Sequence, residues 1–190
     1  MINIDCKFIY IGVPKTGTTS IENFIKKKFT IIPECHSKHC PIFLHDSKYL
    51  HYFKFSFVRN PWDWIVSWFS MTRLDRTGFK RWLFETVEEN EKIKNTNPEL
   101  KRDLYYRPLY LSQSEYISVD DEIKMDFVGK FENLQKDFGF VCEKLKISNH
   151  ILEFKNKTFH DHYSLYYDEE SLDFVRRKYK KDIENFKYTF

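Results

Sequence analysis

Two glycines, a lysine and a row of hydroxyls lie close together near the start of the chain. Gly12 and Gly17 have the spacing of the phosphate-binding loop G-x-x-x-x-G-K-[ST], and Thr19 occupies the position of its final hydroxyl. The lysine position of that loop is Thr18, and the only lysine in the loop is Lys15. The pattern predicts a site for a phosphate-like anion but lacks the lysine that reaches the β- and γ-phosphates of ATP.

The flanking sequence predicts a strand before this loop and a helix after it. Lys7–Val13 is a short run of β-branched and aromatic residues, and residues 19–28 show helical periodicity, with Thr18 or Thr19 as the cap. The start of such a helix presents backbone N–H groups and the positive end of its dipole to an anion. A transferred group of single charge needs less cationic shielding than a γ-phosphoryl group, so we expect a reaction without a metal.

A second strand, turn and helix follow in the middle of the chain. Phe53–Val58 predicts a strand, and Trp62–Met71 predicts a helix with a proline near its first turn. Arg59 lies at the carboxyl end of the strand, where open α/β sheets bind ligands, and Ser67 follows about two helical turns later. A guanidinium and a hydroxyl are suited to a phosphate monoester.

The alternation of strands and helices favours an α/β fold with a parallel sheet, in a single domain over residues 1–190. Further predicted elements are a possible strand at 29–32, a helix at 79–90, a strand at 127–131, a helix at 133–145 and a helix at 169–186.

Composition excludes several other classes of protein. With 31 basic and 28 acidic residues the net charge is only +3, which argues against a nucleic-acid or membrane surface. No apolar run is long enough for a membrane span, and the first residues do not resemble a signal peptide. Four cysteines without a dense framework favour a reducing compartment, and we expect a cytoplasmic location.

The two motifs together, PKTGTTS after the first strand and FVRNPWDWIVSWF, resemble those of the sulfotransferases that use 3′-phosphoadenosine 5′-phosphosulfate (PAPS). Within that class the chain looks most like the carbohydrate sulfotransferase family. Supporting resemblance comes from Gln113-Ser114, residues 126–134, Lys155-Asn-Lys157 and residues 166–168. The resemblance implies a three-layer P-loop-like fold, a hydroxyl acceptor that is a carbohydrate, and release of adenosine 3′,5′-bisphosphate.

The resemblance also implies roles for individual residues. Lys15 contacts the bridging oxygen or the sulfuryl group, Thr16–Ser20 hold the 5′-phosphate, and Arg59 and Ser67 bind the 3′-phosphate. Lys155 and Lys157 belong to a basic loop over the nucleotide. The full set assigned to the donor is Pro14, Lys15, Thr16, Gly17, Thr18, Thr19, Ser20, Arg59, Ser67, Lys155 and Lys157.

Transfer to a hydroxyl needs a base, which in relatives is a His or Glu between the two motifs. His45, which precedes a short predicted helix, is the first candidate. The alternatives are His36, His39, Glu22 and Glu34.

Three other interpretations follow from the same residues. One is a small-molecule kinase with a degenerate phosphate loop, and another is a nucleotide-binding module without catalysis. The third is a zinc site in Cys35-His-Ser-Lys-His-Cys40, but four ligands within six residues are too crowded for one tetrahedral ion, so we expect no metal.

Overall fold

The computed structural model describes residues 1–32, 39–72, 74–97, 107–148, 151–153 and 160–190. The strands are β1 (Ile2–Asn3), β2 (Phe8–Ile11), β3 (Phe53–Val58), β4 (Ser118–Val119), β5 (Glu122–Ile123) and β6 (Phe127–Lys130). The helices are α1 (Thr18–Lys28), α2 (Pro61–Phe69), α3 (Phe79–Thr96), α4 (Gln113–Ile117), α5 (Leu134–Lys144), α6 (Glu169–Lys178) and α7 (Lys180–Phe186).

The strands form a mixed sheet with the order β1-β2-β3-β6 and a separate β4-β5 pair. β2 pairs in parallel with β3, and β3 in parallel with β6, whereas β1 is antiparallel to β2. The α/β prediction is confirmed and the predicted parallel pairing is present, but the sheet as a whole is mixed because of β1. That strand has only two residues, too few to give a periodic signal in the sequence.

Most predicted elements are present with small shifts of their ends. The possible strand at 29–32 is reduced to one bridge between Ile32 and Ile2, and α3 continues six residues beyond its predicted end. The single helix expected over 169–186 is two helices, α6 and α7, that meet at Tyr179. No helix in the described residues is long and apolar enough to cross a membrane.

The residues group into two compact units. The first unit contains residues 1–59 and 115–157, and the second contains residues 60–114 and 158–190. The prediction of one domain over the whole chain stays a prediction.

The first unit has its core between the sheet and helices α1 and α5. β2 and β3 contribute aromatic residues such as Tyr10 and Phe55, whose rings stack 5.1 Å apart. α1 contributes Phe24 and α5 contributes Phe138, and their rings meet edge to face at 5.0 Å. Because burial of aromatic surface is strongly favourable, these contacts fix both helices on the sheet.

The second unit has a core of its own around α2. Trp64 and Trp68 of α2 are buried with Phe79 and Leu83 of α3 and with Tyr179. The tryptophans of α2 are therefore packing residues of this core.

Candidate functional site

Three parallel strands of the first unit end at the same edge of the sheet. Ile11 of β2 pairs with Ser56 of β3, and Val58 of β3 pairs with Lys130 of β6. Carboxyl ends of parallel strands lie together, so the loop after β2, Arg59 after β3 and Phe131 after β6 meet there. Arg59 confirms this arrangement, because its guanidinium lies 4.4 Å from the centre of the Phe131 ring.

The loop after β2 reaches the helix through two residues in the left-handed region. Lys15 has φ of 66° and Gly17 has φ of 80°. A side chain at Gly17 would be strained by that φ, and its Cβ would lie 2.6 Å from Cδ2 of Leu134. Glycine is therefore required at this position by backbone conformation and by space.

Gly17 also caps α1, which corrects the expectation that Thr18 or Thr19 is the cap. Its carbonyl accepts from the N–H of Ser20 at 3.1 Å and of Ile21 at 3.3 Å, and no side chain caps the helix. Thr18 and Thr19 therefore belong to the first turn of α1. The start of α1 keeps the geometry that suits an anion, with backbone N–H groups directed out of the helix.

Two buried hydroxyls stabilise the loop rather than facing a ligand. The Thr16 hydroxyl donates to the Val13 carbonyl at 2.8 Å, and the Ser56 hydroxyl donates to the Ile11 carbonyl at 2.7 Å. Both side chains are fully buried. Thr16 can therefore contact an anion through its backbone N–H but not through its hydroxyl. Its assignment to the 5′-phosphate is proposed for the backbone N–H alone.

Lys15 and Arg59 bring two positive charges together beside the loop. The Arg59 guanidinium donates to the Lys15 carbonyl at 3.3 Å. Burial, and then the charge of Arg59, lower the pKa of Lys15 to about 8. Among the described residues no carboxylate acts on Lys15 to oppose this shift. Two cations that repel each other in a partly buried site indicate that the site is suited to an anion.

The remaining predicted donor residues fall in different places. Pro14, Thr18 and Ser20 are buried in the first unit, and Thr19 is half-buried beside them. Ser67 is fully buried in α2 of the second unit. Lys155 and Lys157 lie outside the described residues.

The start of α2 differs from the start of α1, although the sequence gives both a strand, a turn and a helix. The Asn60 side chain accepts from the N–H of Trp62 at 3.0 Å and of Asp63 at 3.5 Å. These N–H groups are therefore already satisfied within the helix. Any anion near this helix start must therefore be bound by side chains, which is the kind of site that the sequence indicates there.

His39 is held directly against the first residue of the phosphate loop. Its Nδ1 lies 2.7 Å from the carbonyl oxygen of Gly12, and the side chain is buried. Because a carbonyl only accepts, Nδ1 carries the proton, and in the neutral ring Nε2 is then the nitrogen with a lone pair. This is the tautomer that a general base needs.

The surroundings of His45 lower the pKa of its imidazole. Burial, followed by the positive charge of the chain's amino group, lowers its pKa to about 4, although a hydrogen bond with the Cys40 backbone opposes the shift. Its Nε2 atom is buried. The imidazole is neutral at pH 7 but is a weak proton acceptor.

The acidic alternatives are less well placed or lie outside the described residues. Glu22 is buried in α1, where its carboxylate lies 3.7 Å from the ammonium of Lys26. The pKa of Tyr10 is raised first by the burial of Tyr10 and then by the negative charge of Glu22. His36 and Glu34 lie outside the described residues.

The cysteines depart from the sequence expectation in one respect. Cys6 and Cys142 are free thiols, but Cys40 is disulfide-bonded. A disulfide is not typical of a reducing compartment, so the cytoplasmic location stays a prediction. Bonded in this way, Cys40 is not a thiolate ligand. In the described part of the chain no group of three or more His, Cys, Asp or Glu is placed to hold a metal ion.

Sequence reasoning missed Ser56, Asn60 and Phe131, which shape the site without belonging to a phosphate-binding motif. Asn60 precedes a proline at the first position of a helix, which is a recognised cap signal. Ser56 and Phe131 gave no comparable signal, since one is a small residue inside an apolar strand and the other an aromatic after one.

Comparison with protein families places the chain in one of them. None of the curated proteins compared with the chain matches it. The model of the sulfotransferase family matches residues 1–189, which is nearly the whole chain and includes both motifs and the loop described above. The chain therefore belongs to the sulfotransferase family.

Proposed function

We propose that this sulfotransferase takes its sulfuryl group from PAPS and transfers it to a hydroxyl, within a three-layer P-loop-like fold. The observation that supports the donor is the position of the Arg59 guanidinium, which donates to the Lys15 carbonyl close to the start of α1. No side chain caps that helix start. PAPS has phosphates at both ends of its ribose, and one cation follows each of the two motif strands. The donor supplies an activated sulfuryl group with a phosphate as its leaving group.

On the 5′ side, the loop residues have distinct tasks. The backbone N–H groups from Thr16 to Thr19 and the Ser20 hydroxyl bind the 5′-phosphate, with the dipole of α1 behind them. Lys15 lies on the loop itself, and its ammonium neutralises charge that develops on the bridging oxygen as the sulfur–oxygen bond breaks. A lysine and backbone donors are sufficient for this leaving group, so the reaction uses no metal.

On the 3′ side, side chains replace the helix start. Because Asn60 already satisfies the first N–H groups of α2, the 3′-phosphate depends on the Arg59 guanidinium and the Ser67 hydroxyl. The cation–π contact with Phe131 holds the Arg59 guanidinium on the first unit. Lys155 and Lys157 complete the donor site as a basic loop.

The base is a histidine of the segment between the motifs, and we favour His39 over His45. In-line attack forms an oxygen–sulfur bond from the acceptor and requires the hydroxyl proton to leave as that bond forms. Nε2 of His39 accepts that proton, and the Gly12 carbonyl holds Nδ1–H and stabilises the resulting imidazolium. The pKa of His45 is lowered to about 4, which makes its imidazole a weak acceptor.

The acceptor is a carbohydrate hydroxyl by resemblance to the family named above. We assign its selection to the segments around 33–51, 70–80 and 91–115. Nothing in the charge of the chain favours a polyanionic acceptor, since the net charge is only +3.

The experiment is incubation of the purified protein with isotopically labelled PAPS and a panel of glycans and small hydroxyl compounds, analysed by mass shift. A gain of one sulfuryl group on an acceptor is the expected result, without added metal. Turnover of ATP that depends on Mg²⁺, without transfer from PAPS, would instead identify a kinase. Tight binding of adenosine 3′,5′-bisphosphate without any transfer would identify an inactive binding module.

The base is tested with two matched histidine variants. His39→Ala should reduce the rate of transfer by about 10²–10⁴-fold. Its affinity for adenosine 3′,5′-bisphosphate should stay within about twofold of the wild-type value. His45→Ala should retain most of the turnover. The reverse result would assign the base to His45, and loss of binding in His39→Ala would show that this residue acts on the loop instead.

A further inference from the structure

The segment Lys187–Phe190 lies against the first turn of α2, in the second unit. The Asn60 amide donates from Nδ2 to the Thr189 carbonyl at 2.9 Å. The same side chain accepts at Oδ1 from the backbone of Trp62 at 3.0 Å. One asparagine therefore caps α2 with its oxygen and holds the 187–190 segment with its nitrogen.

Phe190 adds an aromatic contact at the same place. Its ring centre lies 5.5 Å from Trp62, 5.5 Å from Tyr163 and 5.8 Å from Tyr167, with planes between 77° and 86° apart. The Tyr167 hydroxyl donates to the Trp62 carbonyl at 2.9 Å, which joins this aromatic group to the backbone of α2. These edge-to-face contacts are the favourable geometry for aromatic pairs.

Phe190 is nevertheless not a core residue. It is 43% exposed, whereas Trp62 below it is 2% exposed. The inner face of α2 is packed independently by Trp64 and Ile65 in the core of the second unit. Removing the Phe190 side chain should therefore leave α2 folded and capped by Oδ1 of Asn60. It should loosen only the first turn of the helix.

Helix α7 sets the direction in which the 187–190 segment leaves it. Lys187 ends α7 with φ of 53°, and the N–H of Tyr188 then donates to the Ile183 carbonyl at 3.0 Å, as in a Schellman-type ending. α7 is itself anchored by the buried Asp182 carboxylate, which accepts from the N–H of Gln113 at 3.0 Å and of Ser114 at 2.8 Å. The 187–190 segment therefore has a defined position, from which it contacts Asn60 and Trp62 at the start of α2.

We propose that the 187–190 segment is a positioning element for the 3′-phosphate of the donor. Ser67 lies on α2, the helix whose first turn the segment fixes. The segment acts through Asn60 and Trp62 and does not itself contact the donor. This inference rests on the proposed function, since it assigns Ser67 to the 3′-phosphate.

The test compares two ligands that differ only in the 3′-phosphate, adenosine 3′,5′-bisphosphate and AMP. Calorimetric titration gives the ratio of their dissociation constants for the wild-type protein, Phe190→Ala and Asn60→Ser. Serine keeps a hydroxyl cap for α2 but is too short to reach Thr189. We expect the preference for the 3′-phosphate to fall about three- to tenfold in both variants, with the AMP affinity within about twofold of wild type.

The controls separate positioning from folding. Phe190→Tyr should restore the preference, and Phe140→Ala, which removes an exposed aromatic ring in the first unit, should leave it unchanged. The double variant should be no worse than the stronger single variant, because both act through one linkage. An unchanged ratio in both single variants overturns the proposal, as does equal weakening of both ligands with a lower melting temperature. If the wild-type protein shows no preference for the 3′-phosphate, it is the donor assignment that fails.

Discussion

The starts of α1 and α2 are built from the same succession of strand, turn and helix, yet they treat their backbone N–H groups in opposite ways. α1 begins at Gly17 without a side-chain cap, whereas the Asn60 side chain accepts from two N–H groups of α2. An anion can therefore bind to the helix start in the first case, but needs side chains such as Arg59 in the second.

The difference shows that a motif's residue order does not determine which atoms are available. Gly17 adopts a left-handed conformation, and it has no side chain to act as a cap. Asn60 precedes a proline and has an amide that folds back on its own helix. Five predictions test this contrast, beginning with the largest expected effect.

Lys15→Ala should reduce turnover roughly 10²–10³-fold, because the proposed role of Lys15 is to stabilise the leaving phosphate. The measurement is steady-state transfer from labelled PAPS at saturating acceptor. Lys27→Ala is the control, since Lys27 is an exposed lysine of α1 that pairs with Glu153 at 2.9 Å. A fall of less than tenfold in Lys15→Ala would remove this lysine from the chemistry.

Gly17→Ala should weaken binding of adenosine 3′,5′-bisphosphate by at least about tenfold and lower the free energy of unfolding by about 1–3 kcal/mol. The added methyl group is strained at φ of 80° and approaches Leu134 at 2.6 Å. Calorimetry and denaturant unfolding measure the two effects. Gly78→Ala is the matched control, because its φ is −78° and its nearest contact is an ordinary 3.6 Å. Normal affinity in Gly17→Ala would show that the loop conformation is not needed for binding.

Donor affinity should depend on pH through Lys15. Its pKa of about 8 in the free protein is lowered from 10.5, and a bound anion raises it again, so binding takes up a proton above pH 8. The affinity should therefore fall as pH rises above about 8, by up to about tenfold per unit. Lys15→Arg keeps a fixed charge and should flatten the profile measured by calorimetry. A profile of the same slope in Lys15→Arg would assign the proton to another group.

The same lowered pKa predicts the sign of a stability effect in the free protein. Below pH 8 Lys15 is charged in both the folded and unfolded states, and its unfavourable environment destabilises the fold. Between 8 and 10.5 the unfolded state binds more protons, so the contribution of this group to stability rises with pH. Thermal unfolding of Lys15→Met against wild type isolates that contribution.

Thr16→Val should have the smallest effect on the donor. The Thr16 hydroxyl donates to Val13, so its loss should lower the free energy of unfolding by about 1–3 kcal/mol and leave the affinity for adenosine 3′,5′-bisphosphate within about twofold. A tenfold loss of affinity without a change in stability would mean that the hydroxyl contacts the donor.

Much of the fold was accessible from the sequence because its elements have strong local signals. β2 and β3 are compact apolar runs, and α5 has a clear apolar face, so their positions were predicted within a few residues. β1 has only two residues and depends on pairing with β2, which no local pattern expresses. The break at Tyr179 was missed because the apolar periodicity continues across it.

The sequence indicates two cations of the candidate site but not the hydrogen bonds around them. Lys15 and Arg59 each follow a predicted strand, and the structure brings the Arg59 guanidinium to the Lys15 carbonyl. The bond from His39 to Gly12 joins positions 27 residues apart through the fold, and no local pattern in the sequence indicates it. The roles of Thr16 and Asn60 likewise depend on which carbonyl or N–H each side chain reaches.

The most direct test of the account is a titration of adenosine 3′,5′-bisphosphate and AMP against the wild-type protein, Lys15→Ala and Arg59→Ala. If the loop binds the 5′-phosphate and Arg59 the 3′-phosphate, Lys15→Ala should weaken both ligands by a similar factor and keep the preference between them. Arg59→Ala should remove most of that preference while changing AMP binding little. Equal affinity of the wild-type protein for the two ligands, or an unchanged preference in Arg59→Ala, would contradict the account.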